Sequence, residues 1–316
     1  MEFLWWTVGI AAFLVTMTLV TSYICFRMAF YVKEKTIIGP DEYPIPPGKE
    51  YEPFRDEMIG WMKKTNAMDK EEIWITSFDG LKLYGKYYEY APGAPLELMF
   101  HGYRGSGERD LCGGVQRCFD LGRNVLIVDQ RASAHSDGNV ITFGIYEHRD
   151  CLAWLDYAVK RFGHEQKIIL TGISMGASTV LLCAQYDLPE NVVCILGDCG
   201  FTSAKEIIKD VIRGMKLPAD LLYPFVKLGA RLFGGFDPDE TSALTSVKKA
   251  KVPIIFIHGD ADDFVPAWMS EQMYQACPST KRLVMVPGAG HGAAFLLGRE
   301  QYFRELHAFG REIGIE

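Results

Sequence analysis

The stretch Lys167-Ile168-Ile169-Leu170-Thr171-Gly172-Ile173-Ser174-Met175-Gly176-Ala177-Ser178-Thr179-Val180 decides the fold. Lys167–Thr171 reads as a strand, and a helical segment predicted to reach Tyr186 begins at Ser174. Between them lies only a Gly-x-Ser-x-Gly turn. Its glycines let the backbone pass tightly from strand to helix, which holds Ser174 strained and exposed. The helix start adds unpaired N–H groups beside the hydroxyl, where an oxyanion could develop. In this context Ser174 reads as a nucleophile rather than as a turn serine in a packed crossover.

Working outward, short apolar runs alternate with helix-period segments. The strands are Leu96–Phe100, Asn124–Asp129, Val192–Gly197, Pro253–His258 and Arg282–Val286, with a hairpin ahead of them around Phe78-Asp79-Gly80. The helical segments are Glu108–Leu121, Tyr146–Phe162, Ser174–Tyr186, Ala267–Cys277 and a last one from Ala293 to Ile313. Continuous apolar strands joined by helices imply an α/β fold, a mostly parallel central sheet with helices on both faces. About fifty residues separate Phe201 from Val252, more than a crossover needs. Ala204–Met215 and Ala219–Phe233 within that interval are amphipathic, and the reading is a small helical cap at about 201–250 over the C-terminal edge of the sheet.

The amino terminus differs in kind. No charge occurs from Phe3 to Phe26, and Trp5, Trp6 and Tyr23 lie towards the two ends of that run. About 20 apolar residues span a bilayer, with aromatic side chains at the interfaces. Glu2 precedes the run and no small-residue cleavage site follows, so it reads as a retained transmembrane anchor over 3–32. Arg27, Lys33 and Lys35 follow the span, which by the positive-inside rule places the rest of the chain in the cytoplasm. Residues 33–71 read as a stalk, from Gly39-Pro40 through Pro46-Pro47-Gly48, and a lead-in helix within Tyr51–Met68; 72–316 form the main domain.

A serine hydroxyl needs a base to take its proton. Of seven histidines, His291 is best placed, in the glycine-rich loop Pro287-Gly288-Ala289-Gly290-His291-Gly292 after the last strand. His101 and His258 also end strands, each before a glycine, where a structural role is commoner. The base needs an acid to fix its tautomer. Asp260, Asp262 and Asp263 compete after the strand ending at His258; Asp262 is favoured by spacing, Asp263 reads as its solvated neighbour and Asp260 as a turn former, while Asp198 is a further candidate. The order Ser, Asp, His then matches one of the three common orders. The oxyanion donors expected are the backbone N–H groups of Met175 and of Tyr103, in the loop His101-Gly102-Tyr103-Arg104-Gly105.

Bulk numbers bound the rest. The net charge of -7 over 316 residues excludes nucleic acid as the main partner. Eight cysteines are scattered through apolar segments with no paired zinc spacing, so they read as reduced core residues, and no metal or cofactor is expected.

These residues resemble the α/β-hydrolase superfamily from about Glu72 to Ile313, and more closely the bacterial membrane-anchored BEM46-like and serine aminopeptidase/lysophospholipase-type hydrolases. Ser77-Phe78-Asp79-Gly80-Leu81-Lys82-Leu83, the His101-Gly102 loop and Val125-Leu126-Ile127-Val128-Asp129-Gln130-Arg131 carry the likeness. Ala132 and Ala134 stand where the family usually has glycine. The resemblance implies ester, thioester or amide hydrolysis through an acyl-serine. A carboxylic ester, lipid-like in view of the anchor and of Leu217, Leu221, Leu222, Phe225, Leu228 and Phe233 in the cap, is the leading substrate. A peptidase or acyl-protein thioesterase on the same residues, and a silent membrane-tethered binding module, are the alternatives.

Overall fold

The protein is described by a computed structural model covering residues 1–39 and 41–315; Pro40 of the linker and the terminal Glu316 lie outside it. One eight-stranded sheet runs through the domain. Its strands are β1 (Glu71–Thr76), β2 (Lys82–Tyr88), β3 (Leu96–Phe100), β4 (Asn124–Val128), β5 (Ile168–Ile173), β6 (Val192–Asp198), β7 (Ile254–Gly259) and β8 (Lys281–Val286), in the order β1-β2-β4-β3-β5-β6-β7-β8. The β1–β2 hairpin and the β2–β4 contact are antiparallel, and every pairing beyond them is parallel.

The helices are α1 (Glu2–Ala29), α2 (Arg55–Ala67), α3 (Gly107–Asp110), α4 (Cys112–Asp120), α5 (Glu147–Phe162), α6 (Met175–Leu182), α7 (Ala204–Gly214), α8 (Ala219–Gly229), α9 (Ala243–Val247), α10 (Trp268–Ala276), α11 (Ala294–Leu297) and α12 (Arg299–Glu312). Because strand side chains alternate, each apolar strand feeds two cores. Leu170, Ile195 and Phe256 pack with Trp154 of α5 and Leu181 of α6. Ile169, Leu196 and Ile255 meet Tyr302, Leu306 and Phe309 of α12 on the opposite face. Two helices expected from the sequence are each divided in two. Glu108–Leu121 breaks at Leu111 into α3 and α4, and the final one breaks at Gly298 into α11 and α12.

Helix α1 is long and apolar enough to cross a membrane, and most of it projects from the domain. Its last turns do not. Ser22, Phe26 and the following Phe30 are buried, and Phe30 meets Phe236 and Phe143 edge-on at 5.1 and 5.7 Å. Helix α8 widens after Gly229 into a π-turn, Ala230–Gly234, so the helix predicted over Ala219–Phe233 is regular only to Gly229. A side chain at Gly229 would overlap the Ser22 carbonyl, which is what lets the two backbones touch. Tyr23 meets Phe233 edge-on at 5.1 Å, and Phe26 lies tilted against it at 5.9 Å. Helix α8 and the π-turn after it therefore pack on the apolar span.

The lead-in lies on the domain too. Tyr51, Met58 and Met62 are buried together with Cys112 of α4 and Leu296 of α11.

Candidate active site

Strand β5 enters the turn at Ile173, and Ser174 takes φ 55°, ψ −118° immediately before α6. A residue other than glycine rarely holds a positive φ, and the neighbours explain how this one does. A Cβ at Gly172 would collide with the Gly176 carbonyl, and one at Gly176 with the Phe100 carbonyl. Strand, turn and helix are thus pressed together too closely for any other residue, which aims the Ser174 side chain off the sheet edge.

Ser174 Oγ lies 2.8 Å from His291 Nε2, and His291 Nδ1 lies 2.7 Å from Asp262 Oδ2. Asp262 also accepts from the backbone N–H groups of Phe264 (3.0 Å) and Val265 (2.8 Å). Burial alone would raise its pKa. The hydrogen bonds from His258 and His291 overcome that, holding the carboxyl well below its ordinary 3.8. An ionised carboxylate can only accept, so Nδ1 of His291 carries the proton and Nε2 accepts from Ser174.

His258 supports this arrangement without reaching the serine. Its Nε2 faces two acceptors, Asp262 Oδ2 at 3.2 Å and the Val265 carbonyl at 2.9 Å, and its Nδ1 accepts from Ser270 Oγ at 2.7 Å. The histidine weighed from sequence as a possible base thus sets the rotamer of the acid. His101 does similar work in the other loop. It accepts from Gln130 N–H at 3.0 Å and donates to the Gly102 carbonyl at 2.7 Å, fixing the strand exit before Tyr103. Met175 opens α6, so its N–H is one that the helix leaves unpaired.

Of the other sequence candidates, Asp260 accepts from Gly288 N–H at 2.6 Å in the turn beside the His291 loop, and Asp263 is exposed. Asp198 is buried beneath the serine, and its carbonyl accepts from Ser174 N–H at 2.8 Å. Its carboxylate makes no hydrogen bond to His291; it accepts from Tyr302 Oη at 3.0 Å. Sequence reasoning does not reach Tyr51, whose hydroxyl donates to the His291 carbonyl at 2.8 Å across the lead-in. Only its place at the start of a helix-period segment hinted that it would be buried.

A cavity of about 540 Å³ opens beside Ser174 and His291. Met58, Trp61, Leu111, Phe264 and Phe295 give it apolar walls, and Pro46, Pro47 and Glu50 bring the lead-in segment over it. No residue of 201–250 lines it. So Leu217, Leu221, Leu222, Phe225, Leu228 and Phe233, which suggest an apolar substrate by sequence, stand away from it: Phe233 packs on Tyr23 and Phe26 of α1, and Leu221 and Leu217 are 65% and 46% exposed. The apolar face of α8 meets the span. At the floor lie Arg117, Thr171, Asp198 and Tyr302, with Asp198 Oδ1 and Arg117 Nε left without partners.

Three ligating atoms lie within 4.8 Å of one another here, on Cys199, Asp262 and His291. A metal ion would have to displace the His291–Asp262 hydrogen bond. It would also have to deprotonate Cys199, whose thiol is pushed far up by burial and then by the charges of Asp198 and Asp262.

A Gly-x-Ser-x-Gly turn between β5 and α6, inside a mostly parallel eight-stranded sheet, defines an α/β-hydrolase of BEM46-like type. Within that superfamily the chain belongs to the prolyl oligopeptidase family, peptidase S9, which residues 120–313 match. It is 30% identical to YqkD of Bacillus subtilis over 191 residues, 60% of this chain and 63% of that protein, so the match spans just under two thirds of YqkD. To bem46 of Schizosaccharomyces pombe it is 22% identical over 256 residues, 80% of this chain and 77% of that one. The solved esterase Pf2001 of Pyrococcus furiosus is similar in fold, with a TM-score of 0.65 at 21% identity over 89% of this chain and 99% of that one. The likeness to Pf2001 is one of fold, and the family match is to a family of peptidases.

Proposed function

We propose that the protein is a serine hydrolase of carboxylic esters, anchored by α1, in which Ser174 attacks, His291 shuttles the proton and Asp262 orients His291. The observation that carries this reading is the unbroken chain of hydrogen bonds from Ser174 through His291 to Asp262. Attack on the carbonyl passes the Ser174 proton to His291 Nε2, and the N–H groups of Tyr103 and Met175 receive the oxyanion. Collapse expels the alcohol with that proton. Water then repeats the sequence on the acyl-serine and releases the acid. The apolar walls of the cavity favour an apolar acyl group.

The test is hydrolysis of p-nitrophenyl acyl esters by the full chain, with labelling by a fluorophosphonate. Ser174→Ala should abolish both. Equal rates in the two proteins would sink the assignment, and a folded wild type that takes no label would favour the silent binding module. The family match favours a second reading, a peptidase, and Glu50 and Asp263 at the cavity could hold a substrate amine. Aminoacyl amides and thioesters assayed beside the esters separate these readings by kcat/KM.

We also infer that α1 is retained rather than removed, because Phe26 and Phe30 belong to the packed interior of the domain. Arg27, Lys33 and Lys35 support a cytoplasmic domain. Digestion of the domain by protease added outside intact cells would reverse that orientation.

A further inference from the structure

A second cavity, of about 380 Å³, lies in the neck where α1 meets the domain. Arg27, Lys33, Lys35 and Arg104 line it, with Glu34 as the one carboxylate in its wall. Arg27 lies 4.0 Å over the Tyr31 ring and donates to Tyr23 Oη at 3.2 Å, with no carboxylate partner. Arg104 gives one nitrogen to the carbonyls of Met28 and Tyr31, at 3.0 and 3.2 Å, and it too pairs with no carboxylate. Lys33 pairs only with Glu34, at 3.3 Å and with both groups exposed.

Lys35 donates to the Ser136 carbonyl. Partial burial lowers its pKa, opposed by the charges of Asp137 and Asp129. Those two carboxylates are engaged elsewhere, Asp137 with Lys82 N–H and Asp129 with Gly107 N–H, each at 3.0 Å. Ser133, also in the wall, is 4% exposed and its hydroxyl has no hydrogen-bond partner. The cavity therefore holds two guanidiniums, Arg27 and Arg104, without a carboxylate partner among the described residues, beside Lys33, Lys35 and a wall serine whose hydroxyl is unsatisfied, a combination that calls for an anion with several acceptor oxygens.

Its height supplies the source of that anion. A bilayer core of about 30 Å takes about 20 residues at 1.5 Å each. Counted from Phe3, the core ends near Tyr23, and Arg27 then lies about 6 Å beyond it, at the level of the phosphates. Tyr23 and Tyr31 flank Arg27 as interfacial aromatics do.

We propose that this neck cavity binds the phosphate of an anionic phospholipid headgroup, held by Arg27, Lys33, Lys35 and Arg104 and accepting from Ser133 Oγ. The proposal rests on α1 crossing the bilayer and not on the chemistry at Ser174. Arg104 borders both cavities, so a bound headgroup also tethers the loop that carries Tyr103.

The experiment uses the full chain carrying Ser174→Ala, so that no lipid is consumed, in neutral detergent micelles. It is titrated separately with dihexanoyl phosphatidylglycerol, dihexanoyl phosphatidylcholine and inorganic phosphate, with affinity and thermal unfolding both recorded. Phosphatidylglycerol should bind about tenfold tighter than either alternative and raise the unfolding midpoint, with the effect shrinking at high salt. Arg27→Gln/Lys33→Gln/Lys35→Gln should remove that preference, and Ser133→Ala, nearly isosteric, should weaken binding a few-fold. With Ser174 restored, the triple variant should hydrolyse soluble esters at the wild-type rate. Equal binding of phosphatidylcholine, or an unchanged preference in the triple variant, overturns the site. Inorganic phosphate binding as tightly as the lipid overturns the headgroup as its occupant.

Discussion

Asp198 and Asp262 are both buried carboxylates, set at the ends of the neighbouring strands β6 and β7, yet their surroundings give them opposite character. Asp262 receives two backbone N–H groups and two histidines, and these outweigh burial and keep it ionised. Asp198 has the Tyr302 hydroxyl on one oxygen and nothing on the other, so burial prevails and its pKa rises to about 6. Depth does not separate them, at 8% and 5% exposure. The number of donors does. A carboxylate that must face a histidinium during turnover has to be the one whose charge is already satisfied.

The largest effect expected from this contrast is on turnover. Asp262→Asn should lower kcat by about 10³–10⁴-fold, because the amide no longer fixes the tautomer of His291. Asp198→Asn should cost less than about tenfold, since the carboxylate makes no contact with His291. Steady-state kinetics on the same ester decide it, and an exchange of the two results would break the contrast.

Stability against pH comes next. The folded-state pKa of Asp198 is raised, so its contribution is complete below its ordinary 3.8 and is lost as pH rises through about 6. Asn resembles the neutral form at every pH. Asp198→Asn should therefore gain on wild type by about 3 kcal/mol across that window and hold the gain above it, read from paired unfolding curves in detergent. Asp262 runs the other way. Its contribution is present above 3.8 and disappears only in stronger acid, so no gap should open for it between pH 4 and 7.

Much of this site was legible because each residue stands where a strand gives way to a turn. Ser174 follows β5, His291 lies in the loop after β8, and Asp262 follows β7, so strand periodicity and glycine placement located all three. Ala132 and Ala134, in family glycine positions, are legible in the same way. Their backbone keeps the left-handed form, with φ of 61° at Ala132 and 37° at Ala134. What could not be read was which surfaces meet. Amphipathic spacing shows that one face of α8 is buried, and it is silent on whether a cavity or another helix covers that face. Here α8 covers α1, and the lead-in around Pro46 and Tyr51, a stalk and helix by sequence, roofs the cavity. Unpartnered atoms such as Asp198 Oδ1 leave no trace in a linear pattern.

His258 sharpens the contrast from inside the Asp262 pocket. Replacing it with Asn shortens the reach to Asp262 Oδ2 and removes a donor to a charged group, worth about 1.5–3 kcal/mol. A fall in kcat of about 10–100-fold at unchanged KM is expected, since His258 lines no part of the substrate cavity. A matching rise in KM would mean that the pocket had collapsed rather than lost its orientation.

The smallest effect tests the histidine from its other side. Tyr51 donates to the His291 carbonyl from the lead-in, so the acid fixes the ring while Tyr51 fixes the loop. Tyr51→Phe keeps the ring packed on Gly292 and deletes one neutral hydrogen bond of about 1 kcal/mol. Because the two supports act on different parts of His291, kcat should fall only about two- to fivefold, and the double variant Tyr51→Phe/Asp262→Asn should be slower than Asp262→Asn by that same factor. That multiplicative loss makes the segment ahead of the sheet part of the site's framework, whereas a double variant no slower than Asp262→Asn would show that the loop is held through Asp262 alone.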